Sequence, residues 1–366
     1  MQTSFTSVNQ SPFIKELFQC FENFFPANNL SKKGDWKMSS KIILGLSWWA
    51  ASYLFLLSFK MPYWQFLLVY LFHGLSQTFL LLNIGHDANH HSITSRPFMK
   101  RLLCYVFDLC GLNSYMWRVL HHGAHHNCAN VHGEDEALIG RGLFRFSPYS
   151  PKKGFHKFQH LYAIFIYGMV SIDHIFLKDF EYFFFANYKH VKTRKYPLKE
   201  YVIMIIGKLF YFSYMLILPI VLLGISPWLV LLAFLITHFV MGLLSTLVFL
   251  VTHIIDTTRF PESKNEFEHF VYHVLGTTAD FSTQNSWANW FLGGLNQHVI
   301  HHLCPQICHT HYPKLTQILK ATCKEYGIEY RENATMYKAI QQHFKLLKRL
   351  GNAPDYKINI TAQPAH

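Results

Sequence analysis

Charge is scarce in this sequence. Only 15% of its 366 residues are Asp, Glu, Lys or Arg, against about 25% in ordinary soluble domains, so a fully solvated surface is excluded. The seven cysteines (Cys20, Cys104, Cys110, Cys128, Cys304, Cys308 and Cys323) form no CxxC pair. All fall outside the long apolar runs, on the side read below as reducing, so they are expected as packing thiols rather than disulfides. Met1–Lys41 has no apolar stretch ahead of Lys15 or the Lys32–Lys33 pair, and does not read as a secretory signal. No nucleic-acid motif uses the formal charge of +12; anionic lipid headgroups or an acidic acyl carrier suit it better.

Long apolar runs take up the composition instead. Residues 42–59, 63–82, 201–223 and 228–251 each approach the ~20 residues that a helix needs to cross hydrocarbon. The expected fold is an all-α integral membrane protein of four transmembrane helices in two hairpins, with a cytosolic helical cap. The alternative, a soluble protein with four wholly buried helices, is unusual for one domain. Lys and Arg concentrate before Ile42, between Asn83 and Glu200, and after Thr252; the links Lys60–Pro62 and Gly224–Pro227 hold one and none. The positive-inside rule then puts both termini and the long middle segment in the cytosol. Residues 158–177 are apolar but interrupted by Asp173 and His174, and are expected to lie at the cytosolic side rather than span. Pro12–Phe25 has an amphipathic pattern that fits either the membrane surface or a docked core helix.

The 24 histidines carry the chemistry. They gather in His86-Asp87-Ala88-Asn89-His90-His91, in His121-His122-Gly123-Ala124-His125-His126 and in His298-Val299-Ile300-His301-His302. Residues at i, i+3 and i+4 share a helix face. His86 and His90 are therefore expected to point together, as are His121 and His125, and His298, His301 and His302. The topology brings all three clusters to one side of the membrane. All-imidazole sets suit zinc, copper, iron or nickel. One structural zinc takes four ligands, and eight or nine converging imidazoles point to two metals. Nitrogen-ligated metal pairs in a membrane favour oxygen chemistry and iron, with zinc left open.

At these clusters the sequence resembles the membrane fatty acid desaturase superfamily, whose signature is three such histidine boxes. The runs GHDANHHS, WRVLHHGAHHNCANVHGEDEAL and GGLNQHVIHHLCPQICHTHYPKL resemble its front-end, or linoleoyl-CoA desaturase-like, branch over roughly residues 41–330. The resemblance implies a 1–40 N-terminal segment, a desaturase domain at 41–330 and a 331–366 cytosolic tail. It also implies iron ligands at His86, His90, His121, His125, His126, His298, His301 and His302, with His253 at the end of the fourth run. His91 and His122 are alternates. Asp87, Glu134, Asp135, Asp256 and Asp280 are candidates for holding the ligands' other nitrogens.

There are two departures. The front-end branch commonly has Gln where this chain has His298, and no His-Pro-Gly-Gly run of a fused cytochrome b5 is found. The implied activity is O2-dependent insertion of a cis double bond into a fatty acyl chain by two iron ions. The acyl group is carried on CoA, a carrier protein or phospholipid, and electrons come from a separate ferredoxin or cytochrome b5, in a bacterial inner membrane. A lipid hydroxylase, acetylenase or carotenoid oxygenase is the nearest alternative. A metal transporter or membrane zinc hydrolase is further off, because a transporter places its ligands near mid-membrane.

Overall fold

The structure, a computed structural model, describes residues 11–138, 140–185 and 196–354. It is built almost entirely of helices. α1 is Pro12–Ala27, α2 Trp36–Ser58, α3 Tyr63–Asn89 and α4 residues 114–128. α5 is Gly154–Phe184, α6 Leu198–Leu223 and α7 Pro227–His253. They are followed by the short α8 (His298–Leu303), α9 (Tyr312–Glu325) and α10 (Met336–Asn352). A two-residue parallel pairing joins β1 (Asp280–Phe281) to β2 (Glu332–Asn333).

The four expected runs are helices, and a fifth joins them: α2, α3, α5, α6 and α7 are all long and apolar enough to cross a membrane. This is a membrane protein. Leu54, Phe72, Ile206, Val221 and Trp228 point outward from the bundle, as lipid-facing residues do. The hairpin ends follow ordinary helix chemistry. Gly224 ends α6 in the left-handed region (φ 62°) and Pro227 opens α7 three residues on, the usual Gly-stop and Pro-start pair.

α5 was expected to run 158–177 and is longer at both ends. It lies along α7, where two glycines let the backbones meet: a Cβ on Gly242 would come within 2.5 Å of the Gly168 carbonyl oxygen. Both of its ends abut elements at the histidine-bearing end of the bundle. Gln159 donates to the Leu347 carbonyl in α10, and Tyr201, in the first turn of α6, donates to the Phe183 carbonyl. Asp179 accepts from the Asn113 amide just before α4.

α1 is a docked core helix. Ser11 caps it, Pro12 stands in its first turn, and Phe13, Ile14, Leu17, Phe21 and Phe25 are buried. They pack on Val299 and Ile300 of α8 and Leu315 and Leu319 of α9. The two segments expected to flank the body thus brace it: α1 backs the third histidine cluster, and α10 buries Leu346, Leu347 and Leu350 against Tyr167 and Ile254.

Candidate metal centre

α3 and α4 each contain a π-helical stretch at their functional end. Leu81–Gly85 precedes His86, and His121–His125 forms the second cluster itself. Such widened turns recur at functional sites. In α4 the His126 amide donates to the His121 carbonyl, and the Nε2 atoms of His121 and His126 stand 3.0 Å apart. α7 delivers His253 as its last residue. α8 buries His298, His301 and His302 together, and Asp280 steadies its start by accepting from the Val299 amide at 2.8 Å.

These side chains form two groups. His86, His90, His121 and His301 make one; His125, His253, His298 and His302 make the other, each with its ligand atoms within 4.8 Å of one another. His126 lies between them, with ring centroids 4.5 Å from His121, 4.7 Å from His301 and 4.4 Å from His302. His86 and His90 act together as expected. His121 and His125 do not, and neither does His301 with His298 and His302. Neighbouring turns aim at different centres, so α4 and α8 each serve both groups.

The nitrogens fit metal ligation. The Nδ1 atoms of His253 and His298 face the carbonyl oxygens of Thr277 and Leu295, both at 3.1 Å, and the Nδ1 of His125 faces Asp135 at 3.2 Å. A carbonyl or carboxylate only accepts, so each Nδ1 carries the proton and each Nε2 keeps its lone pair. The Nε2 atoms of His86, His90, His298 and His301 are buried with no hydrogen-bond partner among the described residues. Buried polar atoms rarely go unpaired, and a shared cation would satisfy these. Burial, reinforced by the neighbouring imidazoles, holds His121, His126, His298, His301 and His302 well below the usual imidazole range. They are therefore neutral, as ligands must be.

The surrounding acids divide. Burial works against the charge of Asp135, but His125 and the Asn130 amide outweigh it and bring the carboxyl below its usual range. Asp87 accepts from His309 at 2.8 Å and lies 3.7 Å from the His86 Nδ1. Three expected candidates do not reach a ligating ring. Asp256 is ion-paired to Lys345 and Arg349 of α10, because one turn beyond His253 the chain has already left the helix. Glu134 pairs with Lys264. Asp280 acts on the α8 backbone and on Tyr330; burial pushes its carboxyl up to about 7. Of the alternates, His91 is exposed beyond the helix end at φ 57°. His122 stacks 4.4 Å from His90 but belongs to neither group.

Two cavities touch the clustered histidines and a third adjoins them, and the sequence alone offered no signal for them. One of about 220 Å³ touches Trp117, His121, His125, Leu250 and His253. One of about 250 Å³ runs from His86 into the bundle between Leu82, Cys110, Met241 and Gly242. One of about 330 Å³ leads away past Tyr167, Asp173, Lys178 and Arg141. His174 and Leu250 line all three. Together they form a mainly apolar, bent space beside the two histidine groups.

The comparisons agree with this class. The fatty acid desaturase family profile matches residues 62–334. A sn-1 linoleoyl-lipid 6-desaturase of Synechocystis sp. is 31% identical over 93% of this chain and 96% of its own length. The enzyme of the same description from Arthrospira platensis is 29% identical over 94% of each. An acyl-lipid (8-3)-desaturase of Physcomitrium patens is 31% identical over 95% of this chain and 73% of its own. The chain belongs to the fatty acid desaturase family, in its front-end branch. It is an oxidoreductase of lipid metabolism that desaturates fatty acyl chains, and it is metal-dependent.

Proposed function

We propose that this protein is an O2-dependent acyl-lipid desaturase whose two iron ions are held by the nine histidines. His86, His90, His121 and His301 hold one iron, His125, His253, His298 and His302 the other, and His126 sits between them. The observation that carries the reading is the convergence of two four-imidazole groups on one apolar path. When bound, the iron pair supplies the reductive activation of dioxygen needed to break two strong methylene C–H bonds, which no side chain can do by acid–base chemistry. The chain's own residues do the rest. The histidines fix the metals. Trp117, stacked 4.1 Å from His121, and Phe249 wall off water, and the bend at Leu250 holds one stretch of the acyl chain beside the ligands.

The acyl-lipid substrate is supported by the names of the relatives. The exposed cations Lys37, Arg96 and Arg101 near the first cluster suit anionic headgroups or an acidic carrier. The electron donor we propose is a separate ferredoxin or cytochrome b5. In the membrane, α2, α3, α6 and α7 cross as two hairpins, with both termini cytosolic. α5 packs along α7 as far as His238 and Phe234 while both its ends meet the histidine-bearing end of the bundle; the reading proposed is that it reaches into the membrane from the cytosolic side without crossing it. The bacterial inner membrane is the proposed location.

Expression in a host without desaturases, followed by gas chromatography of its lipids and metal analysis of the purified protein, tests this reading. New cis-unsaturated acyl chains and two irons per chain are expected. Tightly held zinc with no new unsaturation, or turnover under strict anaerobiosis, would overturn it. His298→Gln is expected to retain measurable turnover, since front-end relatives commonly carry Gln there and an amide oxygen can still ligate. Complete loss with metal retained would count against that equivalence.

A further inference from the structure

Behind the first histidine group lies a cluster that the metal reading leaves unused. Asp87, Cys308 and His309 converge as a third group of potential metal ligands, all buried. A cation is already there. Lys41, at the start of α2 and only 2% exposed, places its Nζ 2.8 Å from the His309 Nε2 and also donates to the Trp290 carbonyl. An ammonium only donates, so the His309 Nε2 accepts and its Nδ1 carries the proton. That Nδ1 meets the Asp87 Oδ2 at 2.8 Å, and the His309 backbone amide meets the same oxygen at 3.1 Å. The cluster is thus a closed string, from Lys41 through His309 to Asp87, ending 3.7 Å from the His86 Nδ1.

The second group has no such string. Asp135 is 0% exposed and touches the His125 Nδ1 at 3.2 Å. Its other partners are the backbone amides of Asn130 and Ala137, at 2.8 and 2.9 Å. Among the described residues no Lys or Arg stands within ion-pair distance of it. One carboxylate is neutralised by a buried ammonium and the other is not. In a low-dielectric interior such a difference is felt strongly by a nearby metal.

We infer that Lys41 and His309 are positioning residues that hold Asp87 beside His86 and cancel its charge, making the two metal sites electronically unequal. The site backed by Asp135 keeps the more electron-rich surroundings and is the easier of the two to oxidise. This inference rests on the two-iron reading above.

The test is Mössbauer spectroscopy of the full-length protein loaded with 57Fe and reduced, with iron counted per chain. Wild type is expected to show two distinct quadrupole doublets of equal area. His309→Leu should shift one doublet and Asp135→Asn the other. His309→Gln should leave both in place, because its amide N–H can donate to Asp87 while its oxygen accepts from Lys41. If His309→Leu does not fold, Lys41→Met is read in the same way. Iron retention should also fall, by about 10–100-fold in affinity, for variants that break the string. A single doublet in a two-iron wild type, or a His309→Leu or Lys41→Met spectrum unchanged or shifted equally in both doublets, overturns the inference alone. Fewer than two irons in wild type overturns the two-iron reading and the inference with it.

Discussion

Alanine at His301 is expected to abolish turnover and to leave the purified protein short of iron. Of the three histidines on α8, His301 alone belongs to the group of His86, His90 and His121. Its ring lies 4.4 Å from His86, 4.8 Å from His90 and 4.7 Å from His126. Its Nδ1 is 3.3 Å from the Tyr312 hydroxyl, which aims the Nε2 inward. Loss of a group that merely supports a ligand costs about 10–100-fold in metal affinity or activity, and loss of the ligand should exceed that. His301 is itself fully buried, so no surface side chain can take its place. Metal analysis and lipid profiling on one preparation check this together. An active His301→Ala protein with its full complement of iron would contradict the metal assignment.

Tryptophan at Leu250 is expected to remove most turnover for a different reason. Leu250 lines the two cavities that touch the clustered histidines and the third that adjoins them, but its side chain has no ligating atom. An indole there should block the bend in the acyl path while leaving iron bound in wild-type amount. Overfilling a packed site costs about 1–3 kcal/mol in stability, which helices as extensive as α7 should tolerate. Leu250→Ala is expected to keep the enzyme active and to broaden the range of acyl chains it accepts. Wild-type turnover in Leu250→Trp would mean that the acyl chain runs elsewhere. Comparing the two blocked variants separates loss of metal from loss of substrate access.

Much of the site was legible without coordinates. Nine of the residues singled out from the histidine spacing and the family resemblance are the nine that converge, including His253, which stands far from the three boxes. Asp135 also lies within hydrogen-bond distance of His125, while Asp87 stands 3.7 Å from His86 and bonds His309 instead. The misses have physical causes. Asp256 is one helical turn past His253 in sequence, but the helix stops at His253, so periodicity no longer predicts direction. His309 lies outside the three histidine clusters, and Lys41 directly precedes the first apolar run. Only packing α2 against the loop after α8 makes them neighbours, across a separation of 268 residues.

The sequence by itself determined the membrane class and the long apolar helices, and with the family resemblance it singled out the nine histidines that we propose as ligands. The membrane class and the helices depend on composition and on local periodicity, which a helix expresses wherever it sits. It could not say how the imidazoles divide between two centres. Spacing of i and i+4 gives a shared face, but which centre each ring meets depends on the π-turn in α4 and on where α8 and α7 place their ends. Nor could it trace the acyl path or the Lys41–His309–Asp87 string. Cavities and buried charge pairs arise between elements distant in the chain, and only the packed tertiary structure decides them.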